Sequence, residues 1–145
     1  LDDLALKKSA PLIDEMLNRA KYKTFVHGDA KLANFLFTND EVAAVDFQYV
    51  GGGVGIKDVA YFLSSIYHED ELHNYESQCL DYYFNELTTI TQNQELVIEW
   101  RALYPYAWAD FYRFLKGWSP EHWKIHRYSE LMKERVLQCL QVKSN

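Results

Sequence analysis

The stretch Phe25–Tyr49, FVHGDAKLANFLFTNDEVAAVDFQY, sets His27, Asp29, Lys31, Asn34 and Asp46 around two short apolar runs. Thr24–His27 is a β-prone run that enters Gly28, a residue free to take tight backbone geometry, and Asp29 follows at once. Polar groups just past a strand end are where loop chemistry usually sits. Phe35-Leu36-Phe37 then reads as a strand, Thr38-Asn39-Asp40-Glu41 as a polar turn, and Val42–Val45 as the returning strand, which is a β-hairpin signal. The base of such a hairpin brings Asn34 and Asp46 together, with the loop of Asp29 and Lys31 over the same end.

Two oxygen ligands, a further carboxylate and an amine, with no Cys or paired His, suit a hard cation such as Mg²⁺ that is shared with substrate phosphates. Phosphoryl transfer uses these groups in this order: an Asp to accept a hydroxyl proton, an Asn further along the loop and a second Asp for metal, and a Lys to balance phosphate charge. The plain alternative is that Asp29, Asn34 and Asp46 are turn residues and Lys31 a solvated loop lysine.

His27-Gly28-Asp29-Ala30-Lys31-Leu32-Ala33-Asn34 resembles the H-G-D-x-x-x-x-N catalytic loop of the aminoglycoside phosphotransferase and choline kinase superfamily, and Asp46-Phe47-Gln48 resembles its metal-binding triplet. The resemblance is greatest to the choline kinase-like and ecdysteroid kinase-like branches. It covers roughly residues 25–63. It implies a protein-kinase-like fold and an ATP- and Mg²⁺-dependent phosphotransferase acting on a hydroxyl of a small molecule. Carried over, Asp29 is the catalytic base with Lys31 beside it, Asn34 and Asp46 hold the nucleotide's Mg²⁺, His27 supports the loop, and Asp58 opens the next helix and braces the loop. Lys31 departs from the small-molecule kinases and matches the D-x-K of protein kinases. Gly28 and Gln48 in turn depart from the protein-kinase triplets.

A chain of 145 residues with 48% apolar content can bury one core, and it reads as a single unit over residues 1–145. The resemblance implies an N-terminal lobe with a Gly-rich cover for the phosphates, a Lys and a paired Glu, and none of these precedes residue 25. The expectation is therefore the C-terminal lobe of a larger kinase, an α+β unit that is mainly helical with a small β-hairpin. Its N-terminal lobe would be a partner within the same protein. A net charge of −6 with dispersed Lys and Arg argues against a nucleic-acid polymer as partner. The apolar runs are too short to span a membrane, and no signal-peptide core opens the chain, so a cytoplasmic protein is expected. Cys79 and Cys139 lack metal-ligand spacing and read as buried free thiols.

Helices are expected from about Ser9 to Ala20, with Ser9 as cap and Pro11 in the first turn, and from Lys57, capped by Asp58, with Val59, Ala60, Phe62, Leu63 and Ile66 buried. His68-Glu69-Asp70-Glu71 reads as an acidic helix start leading to about Ile90, and Thr88–Asn93 as a polar break. A helix from about Gln94 to Gly117 should bend or split at Pro105. The last helix is expected from Ser119-Pro120-Glu121-His122 to about Val142, with Leu131, Val136, Leu137 and Leu140 inward. Four glycines among residues 51–55 fit no phosphate-binding fingerprint and read as a close-packed or mobile loop.

Residues 104–128 hold three of the four tryptophans. Choline kinase-like relatives hold a quaternary ammonium with aromatic faces and acids. The resemblance thus implies an acceptor cage that could include Trp108, Asp110 and Trp118, with core packing as the commoner explanation. Two rival readings remain: a non-catalytic helical binding module or pseudokinase fragment, and a Mg²⁺-dependent hydrolase that needs no acceptor.

Overall fold

The structure is a computed structural model that describes residues 3–144, with side chains through residue 141. Its elements run α1 (Leu4–Asn18), β1 (Thr24–Val26), a 3₁₀ turn (Leu32–Asn34), β2 (Phe35–Phe37), β3 (Val42–Ala44), β4 (Gly51–Gly53), α2 (Ile56–Ile66), α3 (Glu69–Thr91), α4 (Gln94–Trp118) and α5 (Arg127–Ser144). The mainly helical α+β organisation expected from the sequence is present.

Helix α4 is the centre of the core. Val97, Trp100, Leu103, Tyr104, Tyr106, Ala107, Trp108, Ala109, Tyr112 and Leu115 are all buried along it, too many for one face, and α1, α2 and α5 pack around it. A helix apolar on most sides must be enclosed in this way. Trp108 is fully buried, edge-on to Tyr104 and Tyr128. Pro105 lies inside α4 without splitting it, contrary to expectation. The packing on either side of Pro105 offsets the one N–H that proline lacks.

The other helix ends also depart from the sequence reading. Helix α1 starts five residues earlier than expected, because Asp3 accepts from the Leu6 backbone N–H at 3.0 Å, and Leu6 joins Ile13 and Leu17 in the core. Pro11 is therefore within the helix. Helix α3 continues through Thr91, three of its threonines bonding back to carbonyls four residues earlier, and ends at Gln92 with φ 51°. Helix α5 begins at Arg127, since residues 119–126 form turns in which Ser119, His122 and Ser129 take up the backbone N–H groups. Leu131 is exposed and Met132 buried, while Val136 and Leu140 face inward. Cys139 lies exposed beside buried Leu140, and Cys79 is half-buried, so only one thiol approaches the expected burial.

Two small antiparallel sheets lie on this helical base. Strands β2 and β3 form the expected hairpin, with Phe35 opposite Ala44 and Phe37 opposite Val42. The glycine run forms strand β4, not a loop, and pairs with β1 in the register Thr24 to Gly53 and Val26 to Gly51. Backbone pairing supplies what the missing side chains cannot. Val59, Phe62 and Ile66 of α2 are only half-buried, because they line an apolar cleft of about 690 Å³ beneath the hairpin.

Candidate functional site

The loop after β1 is anchored from below. The carboxylate of Asp58 accepts from the backbone N–H of His27 at 2.6 Å and of Gly28 at 3.1 Å. Asp58 thus does not cap α2, whose cap position is Gly55, and its oxygens serve the loop instead. Gly28 has φ 80°, and a Cβ there would meet the Tyr49 carbonyl oxygen at 2.4 Å, so no other residue fits without distortion. His27 Nδ1 accepts from the Asp29 N–H at 3.2 Å, which leaves Nε2 to donate to the Val45 carbonyl at 2.8 Å. One imidazole thereby joins the loop to the hairpin's return strand, packed against Phe35 and Phe47.

Asp29 is buried at the centre. Its Oδ2 accepts from Lys31 Nζ at 2.8 Å and from Asn34 Nδ2 at 3.0 Å, while Asn34 Nδ2 also reaches the Asp29 carbonyl at 2.8 Å. Burial alone would raise the Asp29 carboxyl, but the Lys31 ammonium, the Tyr61 hydroxyl and the Asn34 amide outweigh it and hold it below the usual carboxylate range. The same contact raises Lys31, against its own partial desolvation and with help from the charge of Asp46. Tyr61 is pushed up to about 12 by burial and by Asp29.

Asp46 completes the group. The Val45 N–H donates to the Asn34 carbonyl at 2.9 Å, closing the hairpin base, and Asp46 is the next residue. It has φ 63°, an uncommon left-handed conformation outside glycine, and its exposed carboxylate has no hydrogen bond or ion pair among the described residues. His27, Asp29, Lys31, Asn34 and Asp46 therefore lie within one loop-and-hairpin layer, with Asp58 of α2 bracing it from beneath.

The residues suggested for an acceptor cage do not converge. Trp108 is in the core at 0% exposure, whereas Trp118 is 67% exposed and stacks on Phe114. Asp110 is neutralised by Lys57 at 3.1 Å and Arg113 at 2.7 Å. An aromatic cage does exist, but it is made of Tyr61, Phe111 and Trp123, and it encloses a side chain the sequence reading passed over. Lys124 is 7% exposed, and its Nζ lies 5.0 Å from the Tyr61 ring centre, 5.4 Å from Phe111 and 5.6 Å from Trp123. Desolvation lowers its ammonium to about 8, with repulsion from Lys31 adding to the effect and Asp29 opposing it. The only sequence signal was one lysine within an aromatic-rich segment, and lysines there are ordinarily solvated.

A helical unit with a small loop-and-hairpin layer is compatible with an α+β lobe of a kinase-like protein. The family model described as ecdysteroid kinase-like matches residues 5–96, more than half of the chain, and the chain belongs to that family. That stretch includes the whole loop and hairpin. Comparison with curated proteins and with solved structures gave no match.

Proposed function

We propose that this lobe carries the catalytic loop of an ATP- and Mg²⁺-dependent phosphotransferase whose acceptor is a hydroxyl of a small molecule. The observation that carries the reading is the joint placement of Asp29, clamped by Asn34 Nδ2, and the unpaired Asp46 carboxylate at the hairpin base. The donor set fits Mg²⁺. Among the described residues no three of His, Cys, Asp and Glu converge as a metal site, so a cation here needs oxygens from elsewhere, as Mg²⁺ takes them from phosphates. The Asp46 carboxylate and the Asn34 amide oxygen would hold it. When bound, Mg²⁺ and ATP would supply the phosphoryl group and the charge neutralisation of its transfer.

The chain's own part is positioning. Asp29, kept ionised by its neighbours, would accept a hydrogen bond from the acceptor hydroxyl and take its proton as the new bond forms. Lys31, already drawn to both Asp29 and Asp46, would face phosphate oxygens. The His27 and Asp58 contacts hold these groups in place before substrate arrives. The reading includes an N-terminal lobe of the same protein over this face. Phe25, Leu36 and Tyr49 of the loop-and-hairpin layer are each more than half exposed, which suits a covering surface.

The test is Mg²⁺-dependent ATP consumption by the full-length protein against choline, ethanolamine, aminoglycosides, sugars and sterols. Acceptor-dependent turnover should fall by about 10²-fold or more in Asp29→Asn, with the thermal midpoint little changed. Nucleotide binding without turnover on any acceptor would favour a binding module instead, and equal ATP loss with and without acceptor would favour a hydrolase.

A further inference from the structure

Lys124 is a buried cation beside the site that the phosphotransferase reading does not use. It is more than nine-tenths buried, is ringed by three aromatic faces, and makes no hydrogen bond or ion pair through its ammonium among the described residues. Its placement is built in. The turns of residues 119–125 fix the backbone, with His122 Nδ1 accepting from the Lys124 N–H at 3.2 Å and the Ile125 N–H bonding the His122 carbonyl at 2.8 Å. The cage walls are fixed too, since Tyr61 and Phe111 meet edge to face at 4.6 Å between ring centres. Tyr61 connects the cage to the loop, because its hydroxyl bears on the Asp29 carboxylate.

Ring faces offset part of the cost of burying an ammonium, but they do not cancel its charge. The carboxylate whose charge reaches it, Asp29, is already committed to Lys31 and Asn34. A desolvated cation with no counter-ion is the arrangement that an anionic ligand completes. The same geometry has a second consequence: a cage that could hold a quaternary ammonium is filled by the chain's own ammonium.

We propose that Lys124 makes the Tyr61–Phe111–Trp123 side of the Asp29 site an oxyanion-binding pocket that excludes alkylammonium groups. The proposal rests on the phosphotransferase reading for the ligand's biological source, while the binding itself needs no nucleotide. The oxyanion is either the terminal phosphoryl group of ATP or a phosphate or sulfate group on the acceptor. On either source, Lys124 sets the charge that the site accepts.

The test uses the full-length protein and two simple probes, sulfate and tetramethylammonium, by calorimetric titration. Wild type should bind sulfate and not tetramethylammonium. Lys124→Met keeps the apolar stem and should weaken sulfate by about tenfold or more, since one charged contact is lost, while Lys124→Ala, which empties the cage, should let tetramethylammonium bind. Lys124→Arg should bind sulfate like wild type. Absence of sulfate binding in wild type, or unchanged sulfate binding in Lys124→Met, overturns the proposal.

Should the Met variant fail to fold, a pH series on wild type decides. Sulfate stays a dianion throughout, and its affinity should fall as pH rises through about 8, the value to which Lys124 is lowered. The facing groups are Asp29 and Lys31 from the loop, Tyr61 from α2, His122 in the same turn, and His68 across Trp123. Asp29 and His122 are shifted down, Lys31 up, and Tyr61 to about 12, all away from that window. Constant affinity to about pH 9.5, as an ordinary lysine would give, overturns the proposal. Displacement of sulfate by Mg²⁺-ATP but not Mg²⁺-ADP identifies the terminal phosphoryl, and displacement by neither identifies an acceptor anion. A protein that binds sulfate through Lys124 yet never consumes ATP retains this pocket and loses the phosphotransferase reading, so the two failures are distinguishable.

Discussion

In the helical base, Leu6, Ile13, Leu72, Phe84 and Trp108 are all fully buried, while in the loop-and-hairpin layer Phe25, Leu36, Phe37 and Tyr49 are mostly exposed. The base is held by apolar area removed from water, which is non-directional and summed over many side chains. The layer is held by a few directed bonds: Asp58 to two backbone N–H groups, His27 between the loop and Val45, and Asn34 to Asp29. Damage should therefore spread differently. A change in the base should alter the stability of the whole unit, whereas a change in the layer should displace the site with a smaller global effect.

The largest effect should come from the base. Trp108→Ala leaves a cavity where a fully buried indole stood and should cost about 3–5 kcal/mol in denaturant unfolding. A loss below about 1 kcal/mol would mean that the core is not organised around α4.

Asp58→Ala comes next and sharpens the contrast. Removing the acceptor of the His27 and Gly28 N–H groups should cost about 2 kcal/mol globally. Hydrogen exchange at those two amides should rise far more than exchange in α4. Equal acceleration in both places would show that loop and base unfold together and would break the comparison.

The smallest effect is a slope. Glu76, on α3, accepts from the Tyr128 hydroxyl of α5, and burial raises its carboxyl above the ordinary 4.5, against the charges of Arg135 and His73. The folded chain then holds a proton that the unfolded chain releases, so stability should fall as pH rises from 4.5 towards the raised value. Glu76→Gln should flatten that part of the curve, measured by unfolding from about pH 4 to about pH 7. An unaltered slope would place the dependence outside Glu76, and not on Asp29, whose lowered carboxyl gives the opposite sign.

Much of the layer was legible beforehand. The hairpin followed from Phe35–Phe37, a polar turn and Val42–Val45, because strand alternation and turn chemistry are local properties. The order of Asp29, Asn34 and Asp46 was legible for a similar reason: one loop and one hairpin bring them together, and no distant segment is needed. Helix ends were less so. Ser9 and Ser119 resemble caps as well as Asp3 does, and only the burial of Leu6 and the turns of residues 119–126 decide among them. The role of Asp58 came from the resemblance, while its local pattern suggested a helix cap, and the two differ in which backbone its oxygens meet.

The sequence by itself determined the hairpin, the loop that carries Asp29, and the mainly helical remainder, since each depends on residues that are near neighbours along the chain. The tertiary structure alone decided that the glycine run would pair with β1, that Trp108 would enter the core, and that Lys124 would lie in an aromatic cage beside Asp29. Those outcomes depend on which distant surfaces meet, and burial, which gives Lys124 its chemistry, exists only once they have met.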